Sequence, residues 1–78
     1  MIKIYLYSTL GCHLCEQALG LLDPFLNAGL VVVEEVDIAD SDELMELYGV
    51  SIPVLKRHDN AEELAWPFDQ NQFKAFLK

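Results

Sequence analysis

The chain has 78 residues, 53% of them hydrophobic, and carries a formal net charge of −8 at pH 7. A chain of this length is expected to form one domain, residues 1–78, with enough apolar residues for a compact core. The acidic excess argues against nucleic acid and anionic membrane surfaces as partners, because both repel a negative protein. No apolar stretch reaches the roughly 20 residues that a membrane-spanning helix needs.

The sequence contains two cysteines, which is too few for a framework of several disulfides. Such a pair is typical of a reducing compartment, where C-x-x-C is more often catalytic than structural. The N-terminal apolar run is short and contains Lys3. Because it lacks a basic flank and a small-residue cleavage motif, we interpret it as a strand rather than a secretory signal. We therefore expect a cytoplasmic protein.

The first half of the chain predicts a strand, a helix and a second strand. Residues Ile2–Tyr7 alternate with a period of two and are rich in β-branched and aromatic side chains, which predicts a strand. Helical spacing follows over residues 13–28, with a kink expected at Pro24 and a left-handed cap at Gly29. The nearly continuous apolar run in Leu30–Val36 favours a strand buried on both faces and parallel to the first.

A second helix and the approach to a third strand come next. Asp40 and Glu43 have the spacing of a capping box, which predicts that the helix begins there. Its apolar residues lie between positions 44 and 48, and Gly49 is expected to end it. Pro53 cannot donate a ladder hydrogen bond, so we expect it at the start of the third strand rather than within it.

The last third of the chain predicts a hairpin and a final helix. Val54–His58 and Ala61–Trp66 are expected to pair around Asp59-Asn60, a dipeptide that tolerates the positive φ angles of a tight turn. Asp69 and Gln72 form a further capping-box pattern ahead of the last helix. The predicted order is β-α-β-α-β-β-α. This order indicates an α/β fold with a four-stranded mixed sheet flanked by helices.

Both cysteines lie in the segment Ser8–Glu16, where the strand pattern changes into the helix pattern. Cys12 is expected at or just before the first helical turn, with Cys15 in that turn and within disulfide reach. The first amides of a helix lack partners and carry partial positive charge, so a thiolate at Cys12 is stabilised and its pKa is lowered. An activated thiol followed one turn later by a second is the minimum requirement for dithiol–disulfide exchange.

Two other interpretations of the cysteines remain open. Free cysteine is frequently buried, so the pair can be ordinary core thiols. The pair can also form half of a zinc site completed by His13 or His58, although zinc requires four ligands in a tetrahedral arrangement. On a helix, His13 would point away from the face that the cysteines share. The strand–loop–C-x-x-C–helix context favours a redox pair over both alternatives, with no metal bound.

Two motifs resemble those of the thioredoxin fold in its glutaredoxin-sized form: Gly11–Cys15 after the first strand and Tyr48–Pro53 before the third. More closely, the C-x-L-C-E loop and the W-P-F-D sequence at Trp66–Asp69 are similar to a small bacterial glutaredoxin-like family. The resemblance covers essentially the whole chain. It implies a thioredoxin-like fold in which Pro53 is cis and lies beside the cysteines.

The same resemblance implies that Cys12 is the nucleophile and Cys15 the resolving thiol of a thiol–disulfide oxidoreductase. It further implies that Ile52 and Pro53 bind an extended substrate and that Asp69 meets the amino group of glutathione. The residue before a proline is held extended, so we expect the Ile52 backbone to be free for strand-like bonding to a peptide or to glutathione.

The chain departs from typical glutaredoxins in the residues that recognise glutathione. Those proteins have C-P-Y-C, a lysine shortly before the first cysteine, and a Gly-Gly pair before the acidic residue that matches Asp69. Here His13 and Leu14 replace the central Pro-Tyr, and Lys56 and Arg57 are the candidate cations, although neighbours in a strand face opposite ways. We therefore expect proteins or peptides to be preferred over glutathione mixed disulfides.

The expected partners are a disulfide-containing protein or glutathione, with glutathione or a reductase as electron donor and no other cofactor. His13, next to the nucleophile, is a candidate for tuning Cys12 or relaying a proton. Three rival functions remain: reduction of glutathione mixed disulfides by Cys12 alone, a non-catalytic binding module, and an iron–sulfur carrier of the glutaredoxin type.

Overall fold

The computed structural model describes all residues from Met1 to Lys78. The strands are β1 (Ile2–Ser8), β2 (Val31–Asp37), β3 (Val54–Arg57) and β4 (Glu63–Ala65). The helices are α1 (His13–Asn27), α2 (Asp42–Tyr48) and α3 (Gln70–Phe76), and a 3₁₀ turn, Ile38–Asp40, precedes α2. The predicted α/β class and element order are confirmed. None of the helices combines the length and apolar character needed to span a bilayer.

The four strands form one mixed sheet in the order β2-β1-β3-β4. β1 pairs in parallel with β2 and antiparallel with β3, and β3 pairs antiparallel with β4. β2 is therefore an edge strand, and the prediction that it is buried on both faces is wrong. Val31 is buried whereas Val32 is exposed. A run of β-branched residues is favourable in a strand whether or not both faces are covered.

The core lies on the face of the sheet that α1 and α3 cover. Ile4 and Leu6 of β1 are fully buried there, together with Leu22 of α1 and Phe73 of α3. Phe25 and Phe73 join the two helices edge to face, with their ring centroids 4.8 Å apart. Full burial of one such side chain is worth about 1.5–3 kcal/mol relative to exposure. This cluster therefore fixes both helices against the sheet.

The ends of α1 determine how the chain enters and leaves the sheet. The helix continues through Pro24 and ends with Gly29 at a φ of 72°, so the predicted left-handed cap is confirmed. The amides of Gly29 and Leu30 donate to the carbonyls of Leu26 and Phe25, both at 3.1 Å. This pair of bonds is a Schellman cap, and it returns the chain directly to β2.

The start of α2 differs from the prediction. Ser41 caps the helix, and its hydroxyl accepts a hydrogen bond from the Leu44 amide at 3.3 Å. The predicted capping box of Asp40 and Glu43 is wrong, because Asp40 is the last residue of the preceding 3₁₀ turn. That turn is itself capped by the Asp37 side chain, which accepts from the Ala39 amide at 2.9 Å.

The loop between β3 and β4 is longer than the predicted two-residue turn. The Arg57 amide donates to the Glu62 carbonyl at 2.9 Å and closes a loop of residues 58–61. The positive φ, 60°, lies at Ala61, so the prediction for Asp59-Asn60 is wrong. Within this longer loop, the Asp59 carboxylate accepts hydrogen bonds from Arg57 of β3.

The Arg57 side chain joins the loop between β3 and β4 to the C-terminus by hydrogen bonds. Its Nε and Nη2 donate to the Asp59 carboxylate at 2.9 and 2.6 Å, and its Nη1 donates to the carbonyls of Phe76 and Lys78 at 2.8 and 3.1 Å. The hydrogen bond from Arg57 holds the pKa of Asp59 below its usual range. Because this guanidinium is buried and all three of its nitrogens donate within the chain, Arg57 is excluded as the candidate cation for a glutathione carboxylate.

α2 lies on the opposite face of the sheet and covers it only lightly. Side chains alternate along a strand, so Tyr7 points away from the core that contains Leu6. Its ring stacks on Tyr48 at the end of α2, with centroids 4.5 Å apart. No residue of α2 is buried, and Met45 and Leu47 are exposed. The apolar residues of α2 therefore contribute little to the core.

Candidate active site

Cys12 is the N-cap of α1, and Cys15 lies in the first turn. The Cys12 backbone is extended, with φ −83° and ψ 104°, and its Sγ accepts a hydrogen bond from the Cys15 amide at 3.1 Å. The two residues form a disulfide with their Cα atoms 5.2 Å apart. Both the predicted position at the helix start and the predicted disulfide reach are confirmed. The same amide is placed to stabilise a thiolate on Cys12 after reduction.

The two cysteines differ in accessibility. Cys15 is 5% exposed and lies on the buried side of α1, whereas Cys12 is half-buried. Cys12 is therefore the more exposed of the two cysteines, while the lowered pKa expected for it stays a prediction. Exchange depends on which sulfur can be reached, so an incoming thiolate meets Cys12 first.

The Ile52–Pro53 segment reaches this site through the register of β1 and β3. Tyr7 pairs with Val54, so the residues just before β3 come opposite the end of β1 that leads to Cys12. Pro53 directly precedes β3, as predicted for a residue that cannot donate a ladder hydrogen bond, and it is buried. The predicted cis Ile52–Pro53 bond is present.

Only part of the Ile52–Pro53 backbone is free to form hydrogen bonds with a substrate. The Ile52 amide donates to the Tyr48 carbonyl at 3.2 Å, and the Pro53 carbonyl accepts from the Trp66 amide at 3.0 Å. The prediction of a free Ile52 backbone is therefore wrong for its N–H, because the turn after α2 uses that donor. The Ile52 carbonyl has no intramolecular partner, which leaves one acceptor for an incoming strand.

Tyr48 fixes the turn that leads into this segment. Its carbonyl accepts from the Ser51 and Ile52 amides, and its hydroxyl donates to the Glu63 carboxylate. That hydrogen bond and burial raise the pKa of Tyr48 to about 12. Burial and the nearby Glu63 charge also raise the pKa of Tyr7. From the sequence, Tyr48 was recognisable only as part of the motif before the third strand.

An open cleft of about 290 Å³ adjoins the disulfide. It lies between the β1–α1 loop, the first turns of α1 and the end of β2, and its side chains include Leu10, Glu16, Leu19 and Glu35. The sequence indicates for Glu35 only an exposed strand end. Its place beside the cysteines follows from the parallel register of β1 and β2, which brings the carboxyl ends of both strands to one edge.

His13 is exposed beside the cysteines and faces a carboxylate. Its Nδ1 is 3.8 Å from the Glu16 carboxylate, and the ring makes no hydrogen bond to either cysteine. Its tuning role stays a prediction that depends on this pair with Glu16.

Asp69 is the N-cap of α3, and the predicted capping box with Gln72 is confirmed. Its carboxylate accepts from the Gln72 amide at 2.7 Å, while its own amide donates to the Gln72 side chain at 2.8 Å. Asp69 lines a separate depression with Leu21 of α1. Leu21 is about 13 Å along the helix axis from Cys12, at about 1.5 Å per residue. The structure does not bring Asp69 into the cleft at the disulfide.

Comparison with known proteins shows a match to the Glutaredoxin-like domain (DUF836) over residues 3–78. The chain belongs to this glutaredoxin-like family. A structural genomics target protein from X. campestris, solved by X-ray crystallography, is 36% identical, with 95% of this chain and 93% of that chain covered and a TM-score of 0.81. A protein from Nitrosomonas europaea, solved by NMR, is 28% identical, with 99% and 92% covered and a TM-score of 0.85.

More distant structures share the fold of this glutaredoxin-like protein. A mutant thioredoxin from Halobacterium salinarum is 18% identical, with 97% of this chain and 71% of that chain covered and a TM-score of 0.73. Comparison with curated proteins found no match. The predicted resemblance to a glutaredoxin-like family of the thioredoxin-fold superfamily is confirmed. Together with the C-x-x-C pair at a helix start, it supports a redox function.

Proposed function

We propose that this glutaredoxin-like protein is a thiol–disulfide oxidoreductase whose Cys12–Cys15 pair exchanges with disulfides of proteins or peptides. The observation that carries the proposal is the disulfide at the start of α1, with an accessible sulfur that caps the helix and a second sulfur that is buried. This division supports Cys12 as the thiol that attacks the substrate and Cys15 as the resolving thiol.

The exchange proceeds in two balanced steps. The Cys12 thiolate attacks one sulfur of the substrate disulfide, forms a mixed disulfide and displaces the other substrate sulfur as a thiolate. The Cys15 thiolate then attacks the Cys12 sulfur, which forms the Cys12–Cys15 disulfide and releases the remaining substrate thiolate. Two electrons pass to the substrate, and each released thiolate takes up a proton. Glutathione or a reductase of the cytoplasm returns the two electrons.

The helix start is suited to both steps. The Cys15 amide donates to the Cys12 Sγ at 3.1 Å, so the Cys12 thiolate that attacks the substrate has a donor in place. Cys15 is largely shielded from solvent, so a bulky substrate reaches only Cys12. The intramolecular attack of Cys15 follows at high effective concentration, because the two Cα atoms are only 5.2 Å apart.

The charges near the cysteines support proteins or peptides as substrates rather than glutathione mixed disulfides. Glutathione carries two carboxylates, which require cations or free amides for recognition. A second depression, lined by residues that include Leu10, Glu35 and Asp37, continues from the cleft at the disulfide. Neither of the two is lined by Lys or Arg, and the Ile52 amide is already bonded within the chain. The remaining Ile52 carbonyl accepts one N–H from an extended peptide.

This preference is tested by comparing two substrates at equal concentration. We expect the initial rate with a protein disulfide to exceed that with a glutathionylated peptide by about fivefold or more, since one unit-charge repulsion at 4 Å in water is worth about 1 kcal/mol. Each reaction is coupled to its own recycling system. Faster reduction of the glutathionylated peptide would contradict the preference and favour ordinary glutaredoxin specificity.

A further inference from the structure

We propose that the cleft at the disulfide is a docking surface for protein segments whose reacting cysteine is flanked by apolar and basic residues. The proposal rests on the oxidoreductase function above and specifies the substrate class of the same site. Three features carry it: exposed leucines, carboxylates without a neighbouring Lys or Arg, and the free backbone carbonyl of Ile52.

Large apolar side chains are exposed around the reactive sulfur. Leu10 lines the cleft and is 91% exposed, and Leu14, between the two cysteines, is 44% exposed. Exposed apolar side chains such as Leu10 and Leu14, placed next to a reactive disulfide, are typical of an interaction surface. They provide contacts for apolar residues next to the substrate cysteine.

The charged side chains that line the cleft beside Leu10 are all carboxylates. The carboxylates of Glu16 and Glu35 line the cleft, and Asp37 lines the depression that continues from it. No Lys or Arg lines either part. Of the basic residues, Lys3 pairs with Glu34 and Arg57 is committed to the C-terminus. A cleft lined by charge of one sign attracts ligands of the opposite sign and repels those of the same sign.

These features select one occupant over the alternatives. A segment with Lys or Arg near its cysteine complements Glu16 and Glu35, and its apolar residues cover Leu10. An extended segment also has a backbone N–H to donate to the Ile52 carbonyl, which lacks a partner. Glutathione and acidic peptides satisfy the backbone contact but bring their own carboxylates to the cleft.

The test uses three two-cysteine peptide disulfides that differ only in the residues beside the first cysteine: Lys-Leu, Ser-Leu or Glu-Leu. The reduced protein reacts with each at low salt, and acid-quenched samples are analysed by mass spectrometry. We expect the Lys peptide to react about 25-fold faster than the Glu peptide, because the attraction of Lys and the repulsion of Glu at 4 Å in water are each worth a factor of about five. In about 1 M salt, where screening acts within roughly 3 Å, this ratio should approach one.

Two variants that each remove one negative charge test whether the preference for the Lys peptide arises at the cleft. Glu35→Gln should lower the Lys-to-Glu ratio about fivefold, while Glu62→Gln, which removes the same charge at the loop between β3 and β4, should leave it unchanged. Equal ratios in the two variants would show that only the net charge matters and would overturn the proposal. Equal rates for the Lys and Glu peptides in the parent protein would also overturn it.

Docking is measured separately from redox turnover, so that failure of one is not mistaken for failure of the other. The oxidised protein is titrated with the same peptides carrying Ser in place of Cys, and amide shifts are followed by NMR. We expect the Lys peptide to move the amides of Leu10, Leu14 and Glu35 and to bind more tightly than the Glu peptide. Binding with this preference but without turnover would reject the oxidoreductase function alone. Turnover without any preference in binding would reject the docking surface alone.

Discussion

Replacement of Cys12 by serine is expected to reduce disulfide exchange to the uncatalysed rate. Serine is not ionised at neutral pH and forms no mixed disulfide, so the first step is lost entirely. The buried Cys15 that remains is poorly placed to substitute, because it is only 5% exposed. Initial rates with a protein disulfide, measured for the parent and Cys12→Ser proteins, provide the comparison.

Cys15→Ser is the matched control and should fail at a different step. Its Cys12 thiol still attacks, so a mixed disulfide with the protein substrate should accumulate and be visible on a non-reducing gel. Iodoacetamide should also modify Cys12 in this variant faster than it modifies Cys15 in Cys12→Ser near neutral pH. Faster modification of Cys15 would reverse the two roles. Sustained turnover of a glutathionylated peptide by Cys15→Ser would instead indicate the single-thiol mechanism.

Phe73→Ala is expected to lower the free energy of unfolding by about 3–5 kcal/mol, the usual cost of removing a buried Phe side chain. Phe73 is fully buried and contacts Phe25 of α1 edge to face, with ring centroids 4.8 Å apart. Its loss leaves a cavity between the two helices that cover one face of the sheet. This loss is a large part of the free energy of unfolding of a typical domain, which is about 5–15 kcal/mol.

Urea unfolding at neutral pH measures this effect, with Lys74→Ala as the control. Lys74 is the next residue of α3 and is exposed, so its replacement should change stability by less than about 0.5 kcal/mol. If Phe73→Ala does not fold, Phe73→Leu provides a smaller cavity at the same place. A loss below about 1 kcal/mol for the alanine variant would contradict the assigned position of Phe73 in the core.

The parts of the fold that depend on local patterns could be predicted from the sequence. Period-two alternation located β1, and helical spacing with Gly29 located α1 and its end. Cys12 and Cys15 followed from their position at the junction of these two elements. Asp69 with Gln72 predicted the start of α3, because both halves of that capping box lie within one turn.

Other features depend on contacts between distant segments. The place of Glu35 in the cleft requires the parallel pairing of β1 with β2, and the engaged Ile52 amide depends on how the chain turns after Tyr48. Asp40 and Ser41 are both good caps, and the 3₁₀ turn before α2 decides between them. Arg57 was named as a candidate cation for glutathione because the sequence does not show that the C-terminal carbonyls lie within reach of its guanidinium.

A redox titration of the Cys12–Cys15 pair tests the central claim most directly. The protein is equilibrated in glutathione buffers of increasing potential, free thiols are trapped and counted, and the reduced form is regenerated in parallel with thioredoxin reductase. The account predicts one reversible two-electron transition, in which a tenfold change in the equilibrium constant corresponds to about 30 mV. Cysteines that stay unreactive across the whole range, or that never re-form their disulfide after reduction, would contradict it.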